Sequence, residues 1–152
     1  EDSTMKAKKL GETKIRLYAT PRYLEENGTP KHPKDLTNHD FIGFNAFKGA
    51  VIKIRHKDKS YSLKLDSRIT ADDPQVIKMF LLQHIGFGFS TNFHVSNELE
   101  AGELVPILSD WHYRNAALSL VYPGQKFVPK RVKAFLDIAG DEFKNLNYFH
   151  DA

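Results

Sequence analysis

The sequence predicts an α/β domain with a largely parallel sheet and one antiparallel hairpin. Short apolar strand patterns alternate along the chain with helical segments, which is typical of a parallel sheet covered by helices. A hairpin pattern is clear at residues 52–66, where Ile52 and Ile54 on one arm, and Leu63 and Leu65 on the other, alternate with polar residues. With 152 residues, 41% of them apolar, the chain is about one domain long and can bury a core.

The first third of the chain predicts two strands and a short helix. Residues 1–12 are polar and are expected to be loosely held. Apolar residues alternate over 13–19, which predicts a strand. The stretch TPRYLEENGTP predicts a short helix, because Asn-Gly and Pro end it. After a single turn at Pro33, a second strand is predicted over residues 40–44.

The middle of the chain predicts strand, helix and strand in that order. After the hairpin, a short strand over residues 68–71 leads into a helix over 74–84. Asp73 is the expected N-cap of this helix, with proline at its first position. We expect Gly86 to cap its C-terminus and the next residues to form a buried strand.

The last third predicts a helix over residues 92–101 and short strands over 104–107 and 116–123. The last strand is nearly all apolar, which favours a central position in a sheet covered on both faces. The chain then ends in an amphipathic helix. We expect this helix to pack against its own lobe, to pack onto a second chain or to fray, and contact with a second chain is the favoured interpretation. The residues of its apolar stripe are Val132, Phe135, Leu136, Ala139 and Phe143.

The motifs do not predict a catalytic, cofactor or metal site. The glycines of Gly86-Phe87-Gly88 follow a helix and precede a strand, whereas a dinucleotide loop needs the reverse order. The seven histidines show no helical i, i+4 pair and no HExxH pattern. No serine lies in a GxSxG motif, so we do not expect an enzyme. The pair Asp72-Asp73 is better explained by helix capping than by acid–base chemistry.

Charge and composition narrow the expected partners further. The 22 basic and 19 acidic residues give a net charge of +3 and are spread along the chain, which argues against a dedicated nucleic-acid surface. The absence of cysteine fits a reducing cytoplasm. No apolar run approaches the length of a membrane helix, and there is no signal-peptide pattern, so we expect a cytoplasmic protein without membrane contact.

Four stretches of the chain occur in a recognisable order and spacing. They are LYATPRYLEENGTPKHPKDLTNHDFIGF, ITADDPQVIKMFLLQHIGFGFST, NELEAGELVPILSDWHYRNAALSLVYP and the closing helix VPKRVKAFLDIAGDEF. Together they resemble the LysR-type transcriptional regulators, over residues from about 13 to 146. The first stretch is similar to the start of that family's second effector subdomain, and the second to its helix and Gly-x-Gly strand. Ser90-Thr91 departs from the family pattern, which has an apolar residue and proline there.

The resemblance implies a fold of the periplasmic-binding-protein type II, with two α/β lobes around a ligand cleft. Residues 13–123 would form the second effector-binding subdomain. Residues 1–12 would be a remnant of the first subdomain, and residues 124–148 the terminal helix that belongs to it in intact relatives. The chain does not contain the family's N-terminal winged helix-turn-helix.

The implied function is sensing by a bacterial transcriptional regulator. A small-molecule effector would bind between the lobes and alter transcription by a homo-oligomer, a dimer or tetramer in the full-length protein. DNA contact would come only through the absent helix-turn-helix. The alternative is a solute-binding protein of a transport system with the same fold, and an enzyme on that fold is a third hypothesis.

The cleft of such a fold lies outside the carboxyl ends of the strands, next to helix N-termini with free N–H groups. This rule predicts effector contacts at the strand-to-helix junction, at the end of one strand and on the strand that follows the helix. The predicted effector-binding residues are Thr70, Ala71, Asp72, Asp73, Phe44, Gly88 and Ser90.

Overall fold

The computed structural model describes residues 5–124 and 128–145. The chain divides into two compact units, a larger one of residues 14–114 and a smaller one formed by the residues before and after it. Parts of the predicted terminal segments, namely residues 1–4, 125–127 and 146–148, lie outside the described residues.

The elements follow the predicted order. The strands are β1 (Met5–Ala19), β2 (Phe41–Phe44), β3 (Val51–His56), β4 (Lys59–Lys64), β5 (Ser67–Ala71), β6 (Phe87–Thr91), β7 (Val105–Ile107) and β8 (Arg114–Pro123). The helices are α1 (Pro21–Asn27), α2 (Pro74–Leu82), α3 (Ser96–Glu100) and α4 (Lys130–Asn145), with 3-10 turns at Pro33–Asn38 and Asn45–Phe47. No described helix is long and apolar enough to cross a membrane.

The sheet of the larger unit has the order β5-β2-β6-β1-β7. Strand β2 is parallel to β5 and β6, whereas β1 is antiparallel to β6 and β7. The hairpin β3–β4 forms a separate two-stranded sheet. The predicted α/β class with an antiparallel hairpin is therefore confirmed, and the main sheet itself combines parallel and antiparallel pairs.

Each face of this sheet has its own apolar cluster. On one face, Leu17 belongs to a buried cluster that includes Ile52 and Ile54 of the hairpin. On the other face, Tyr18 belongs to a cluster that includes Ile77 and Leu81 of α2. Neighbouring residues of a strand point to opposite faces, so β1 contributes to both clusters. The predicted division of the hairpin into one buried and one exposed face is confirmed.

Gly86 is not the C-cap of α2, and that prediction is wrong. The helix ends at Leu82, and His84 takes the left-handed conformation with a φ of 60°. A Cβ on Gly86 would lie 2.4 Å from the carbonyl oxygen of Asp40. The N–H of Phe87 donates to the same oxygen at 2.9 Å. Glycine is needed here because two backbone segments approach too closely for a side chain.

Two predictions about the strands at the chain's ends are also wrong. Residues 5–12, expected to be loosely held, belong to β1. Strand β8, expected to be buried on both faces, is partly exposed, and the side chain of Val121 is 60% exposed. Within the described residues β8 pairs with β1 and with no further strand. An apolar run indicates a strand, but it does not specify that both faces are covered. Helix α3 is also shorter than the predicted 92–101.

The C-terminal helix forms as its amphipathic pattern predicts. Lys8 of β1 donates to the carbonyl oxygen of Leu136 at 2.8 Å and pairs with Asp137 at 3.0 Å. Leu136 is buried, whereas Phe135 and Ile138 are 61% and 64% exposed. The helix thus contacts the smaller unit's own strand, and the predicted contact with a second chain stays a prediction.

Candidate functional site

A cavity of about 150 Å³ opens at the carboxyl edge of the larger unit's sheet. Because β2, β5 and β6 are parallel, their carboxyl ends meet at this edge, where open α/β sheets bind ligands. Thr91 at the end of β6 pairs with Ile15 of β1, which adds one residue of the antiparallel strand. The cavity is lined by Ile15, Phe44, Pro74, Phe89, Ser90, Thr91 and His94.

Aromatic rings form the apolar wall of this edge. Phe44 lies edge-on to Phe47, with 5.9 Å between ring centroids, and Phe47 makes the same kind of contact with Phe89 at 5.9 Å. Phe89 also packs against Tyr113 at 5.5 Å. Such ring contacts restrict the rotamers of Phe44 and Phe89, so the wall is largely formed before any ligand arrives.

His94 is the cavity's titratable group. Its Nε2 lies 2.8 Å from Oε1 of Gln75, and its backbone N–H donates to the carbonyl oxygen of Thr91 at 3.0 Å. An amide oxygen can only accept, so Nε2 carries the ring proton. Burial lowers the pKa of His94, and the nearby Lys78 lowers it further. The imidazole is therefore neutral at neutral pH.

A mostly buried ion pair holds the segment that carries His94. Lys78 of α2 lies 2.7 Å from a carboxylate oxygen of Glu98, and the two side chains are only 15% and 13% exposed. Lys78 Nζ also lies 3.4 Å from the carbonyl oxygen of His94. Burial by itself would raise the pKa of Glu98, but the hydrogen bond and charge of Lys78 outweigh it and the pKa is lowered. The pair thus ties the segment after β6 to α2.

The strand-to-helix junction is less open to a ligand than the sequence predicts. Asp73 is the N-cap of α2, as predicted, and its Oδ1 accepts the N–H of Gln75 at 2.7 Å. Pro74 has no N–H, so neither of the first two helical residues offers a free donor. Asp72 accepts a hydrogen bond from the side chain of Asn45 at 2.7 Å. Both carboxylates of the pair therefore have partners within the protein.

The structure brings only some of the predicted site residues together. Phe44 and Ser90 line the cavity, and Asp73 precedes its Pro74. Thr70 pairs with Gly43 in the sheet, and Ala71 packs against the cluster below α2.

Gly88 does not line this cavity. It is buried, and a Cβ there would lie 2.9 Å from the carbonyl oxygen of Ile42 and 3.4 Å from Leu81 of α2. Sequence reasoning noted Thr91 only as a departure from the family pattern and did not single out His94; the register of β6 against β1 places Thr91 at the cavity.

We expect acidification to lower the stability of the larger unit more in the wild type, which has His94, than in a variant without this histidine. Because the folded pKa of His94 lies below its ordinary value of 6.5, the neutral ring stabilises the fold fully above pH 6.5. That contribution is lost as the pH falls through the lowered pKa. The measurement is urea unfolding at about pH 7.5 and 5.5, followed by the fluorescence of the single tryptophan, Trp111.

The His94→Gln variant is the matched comparison, because glutamine keeps a hydrogen-bonding side chain but does not titrate. His39, whose pKa burial also lowers, contributes equally to both proteins and cancels in the difference. Equal losses of stability in the two proteins would contradict this expectation.

Comparison with known proteins gives a consistent result. The family model described as LysR substrate binding domain matches residues 1–144. The HTH-type transcriptional regulator CrgA of Neisseria meningitidis is 27% identical over 147 residues, which are 95% of this chain and 49% of that protein. The chain thus spans about half the length of its curated relatives.

Solved structures show the same fold. The CrgA regulatory domain, from a LysR-type transcriptional regulator, matches with a TM-score of 0.78 and 25% identity, covering 94% of this chain and 71% of that one. The full-length Vibrio cholerae virulence activator AphB matches with a TM-score of 0.80 and 23% identity, covering 94% and 49%. These proteins are regulators of transcription, which favours sensing over solute transport.

Proposed function

The chain belongs to the LysR substrate binding domain family, and on that premise we propose that it is the effector-sensing part of a bacterial LysR-type transcriptional regulator. A small molecule binds at the carboxyl edge of the sheet and shifts the regulator between conformations with different effects on transcription. The observation that carries this proposal is the cavity at that edge, whose lining combines the aromatic residues Phe44 and Phe89 with the polar residues Ser90, Thr91 and His94.

The lining indicates the chemistry of the effector. An apolar body would pack on the aromatic wall, and a hydrogen-bonding group would meet Ser90, Thr91 or the neutral His94. A volume of about 150 Å³ is below the roughly 300 Å³ of small ligand pockets, so this edge is one wall of a larger cleft. Asp73 serves as the N-cap of α2 and Asp72 bonds Asn45, so these two carboxylates do not decide against an effector with two negative charges.

The organisation of the regulator is part of the same proposal. Residues 13–123 form the second effector-binding subdomain, and residues 1–12 and 124–148 belong to the first. The regulator acts in the cytoplasm as a homo-oligomer, holds DNA through a helix-turn-helix outside this chain, and senses its effector without catalysis or a cofactor. The family and the regulators it resembles support this organisation.

We expect substitutions in the cavity wall to weaken effector binding by at least about tenfold, or about 1.4 kcal/mol. Phe44→Ala removes part of the aromatic wall, and Ser90→Val replaces the hydroxyl and one β-hydrogen by two methyl groups, which removes the hydrogen-bonding group and narrows the cavity. The measurement is calorimetric titration of the intact regulator with the metabolite that controls its promoter. Thr70→Val and Asp72→Ala test the junction in the same way.

Ser62→Val is the matched control for Ser90→Val, since Ser62 is exposed on β4 and does not line the cavity. If none of the four site variants changes the dissociation constant by about threefold, about 0.65 kcal/mol, the effector binds elsewhere.

A further inference from the structure

A second cavity, of about 430 Å³, lies at the opposite edge of the same sheet. Strand β1 is antiparallel to both β6 and β7, so its carboxyl end lies beside the first residues of those strands. Tyr18 pairs with Gly88, and Ala19 pairs with Val105. The residues just outside these strand ends therefore converge, and the cavity is lined by Thr20, Pro21, Arg22, Leu82, His84 and Glu103.

A buried threonine fixes the imidazole of this cavity. Thr20 is only 1% exposed, and its Oγ1 accepts the backbone N–H of Tyr23 at 3.3 Å. Nδ1 of His84 lies 2.9 Å from the same oxygen. In the tautomer whose Nδ1 accepts the hydroxyl proton of Thr20, Nε2 carries the ring proton and is an N–H donor toward the cavity.

The backbone of His84 is held in a left-handed conformation that residues other than glycine rarely adopt. Its φ is 60°, and the left-handed region costs a non-glycine residue about 1–2 kcal/mol. Helices usually end with glycine at such a position. Here an imidazole occupies it, anchored by Thr20 and by the backbone bond from His84 N–H to the carbonyl oxygen of Leu81 at 2.9 Å.

The charged groups of the cavity have opposite signs. Nε of Arg22 donates to Glu26 at 3.0 Å, so the guanidinium has its two terminal amino groups to offer a ligand. Glu103 is exposed and lines the same cavity. Pro21 and Leu82 supply its apolar surface. The cavity therefore combines a cation, an anion, an imidazole and an apolar wall.

We propose that this second cavity binds a free α-amino acid with an apolar side chain. The ligand's carboxylate is bound by Arg22 and by Nε2 of His84, and its ammonium group pairs with Glu103. Its side chain packs on Leu82 and Pro21. A simple anion would be repelled by Glu103 and a simple cation by Arg22, whereas a zwitterion satisfies both charges. The volume lies within the range of small-ligand sites.

The two cavities share no lining residue and lie at opposite edges of the sheet. The amino-acid site is thus a second site, and its existence does not depend on the effector proposed for the carboxyl edge.

The test is an NMR titration of the 152-residue chain, labelled with ¹⁵N, with L-alanine, L-leucine and L-phenylalanine. Titration to about 20 mM detects dissociation constants near 1 mM. We expect at least one amino acid to shift the amide resonances of Thr20, Arg22, Leu82, His84 and Glu103. Two probes carry one charge each: 4-methylpentanoate has the carboxylate of leucine without the ammonium group, and isoamylamine has the ammonium group without the carboxylate. Both should bind at least about tenfold more weakly than L-leucine.

Arg22→Met and Glu103→Gln should each weaken binding at least about tenfold, and both residues are exposed, so neither change should unfold the chain. His84→Gly removes the imidazole and its hydrogen bond with Thr20 but relieves the backbone strain, so it should weaken binding without unfolding the chain. Glu25→Gln on the exposed part of α1 is the matched control and should leave binding unchanged.

Three outcomes would overturn the proposal. The first is that no amino acid shifts these resonances. The second is that 4-methylpentanoate binds as tightly as L-leucine, which would show a plain anion site. The third is that the three cavity variants bind the amino acids like the wild type.

Discussion

A Gly86→Ala variant is expected to lose about 3 kcal/mol of its free energy of unfolding. The added methyl group would lie 2.4 Å from the carbonyl oxygen of Asp40 and 3.2 Å from the carbonyl carbon. Backbone atoms on both sides of this contact are fixed by the sheet, because β2 and β6 are hydrogen-bonded neighbours. The clash therefore cannot be relieved by a rotamer change and must displace one strand. Urea unfolding followed by Trp111 fluorescence measures the loss.

Gly49→Ala is the matched control for this loss. Gly49 has a φ of 71°, and a Cβ there meets no atom within 4 Å. Alanine at this position costs only the backbone strain, about 1 kcal/mol. Similar losses for the two variants would mean that the Asp40 contact is not what requires glycine at position 86.

A Lys78→Met variant is expected to lose about 3 kcal/mol at pH values near 7.5. The substitution leaves the carboxylate of Glu98, which is 13% exposed, without its partner at 2.7 Å. Removing Glu98 as well, in a Lys78→Met/Glu98→Leu variant, should restore most of the stability, because no unpaired charge then remains. The same urea unfolding measures all three proteins.

The pH dependence gives this prediction a second readout. In the wild type the pKa of Glu98 is lowered, so its contribution is present at neutral pH and is lost as the pH falls through that value. Without Lys78, its hydrogen bond and charge no longer oppose the effect of burial, so the pKa of the carboxyl group rises relative to the wild type and protonation removes the unpaired charge at a higher pH. The difference in the free energy of unfolding between the wild type and Lys78→Met should therefore become smaller as the pH falls from about 7.5 to about 5.

The exposed pair Arg22–Glu26 serves as the control for the buried one. Its side chains are 67% and 55% exposed, and Glu26→Gln should change stability by less than about 0.5 kcal/mol. A loss for Lys78→Met no larger than this would show that the Lys78–Glu98 pair does not hold the segment after β6.

Local patterns predicted most of the elements correctly. The alternation of Ile52 and Ile54 with basic residues defined the hairpin, and Asp73-Pro74 defined the start of α2, because both signals depend only on neighbouring residues. The role of Gly86 could not be predicted in this way, since it depends on a contact with Asp40, which is distant in the sequence.

The candidate site was predictable only in part. The rule that ligands bind at the carboxyl ends of parallel strands leads to Phe44 and Ser90, which do line the cavity. Gly88 lies farther inside β6 and faces α2, which only the packing of that helix reveals. His94 joins the site because Lys78 and Gln75 hold its segment, and no sequence spacing encodes these contacts.

The most direct test of effector sensing at the carboxyl edge is a crystal structure of the intact regulator with the metabolite that controls its promoter. We predict that the metabolite lies against the ring of Phe44 and within hydrogen-bonding distance, about 3 Å, of Ser90, Thr91 or His94. A metabolite bound at the opposite edge, beside Thr20 and His84, or one that leaves the carboxyl-edge cavity empty, would contradict it.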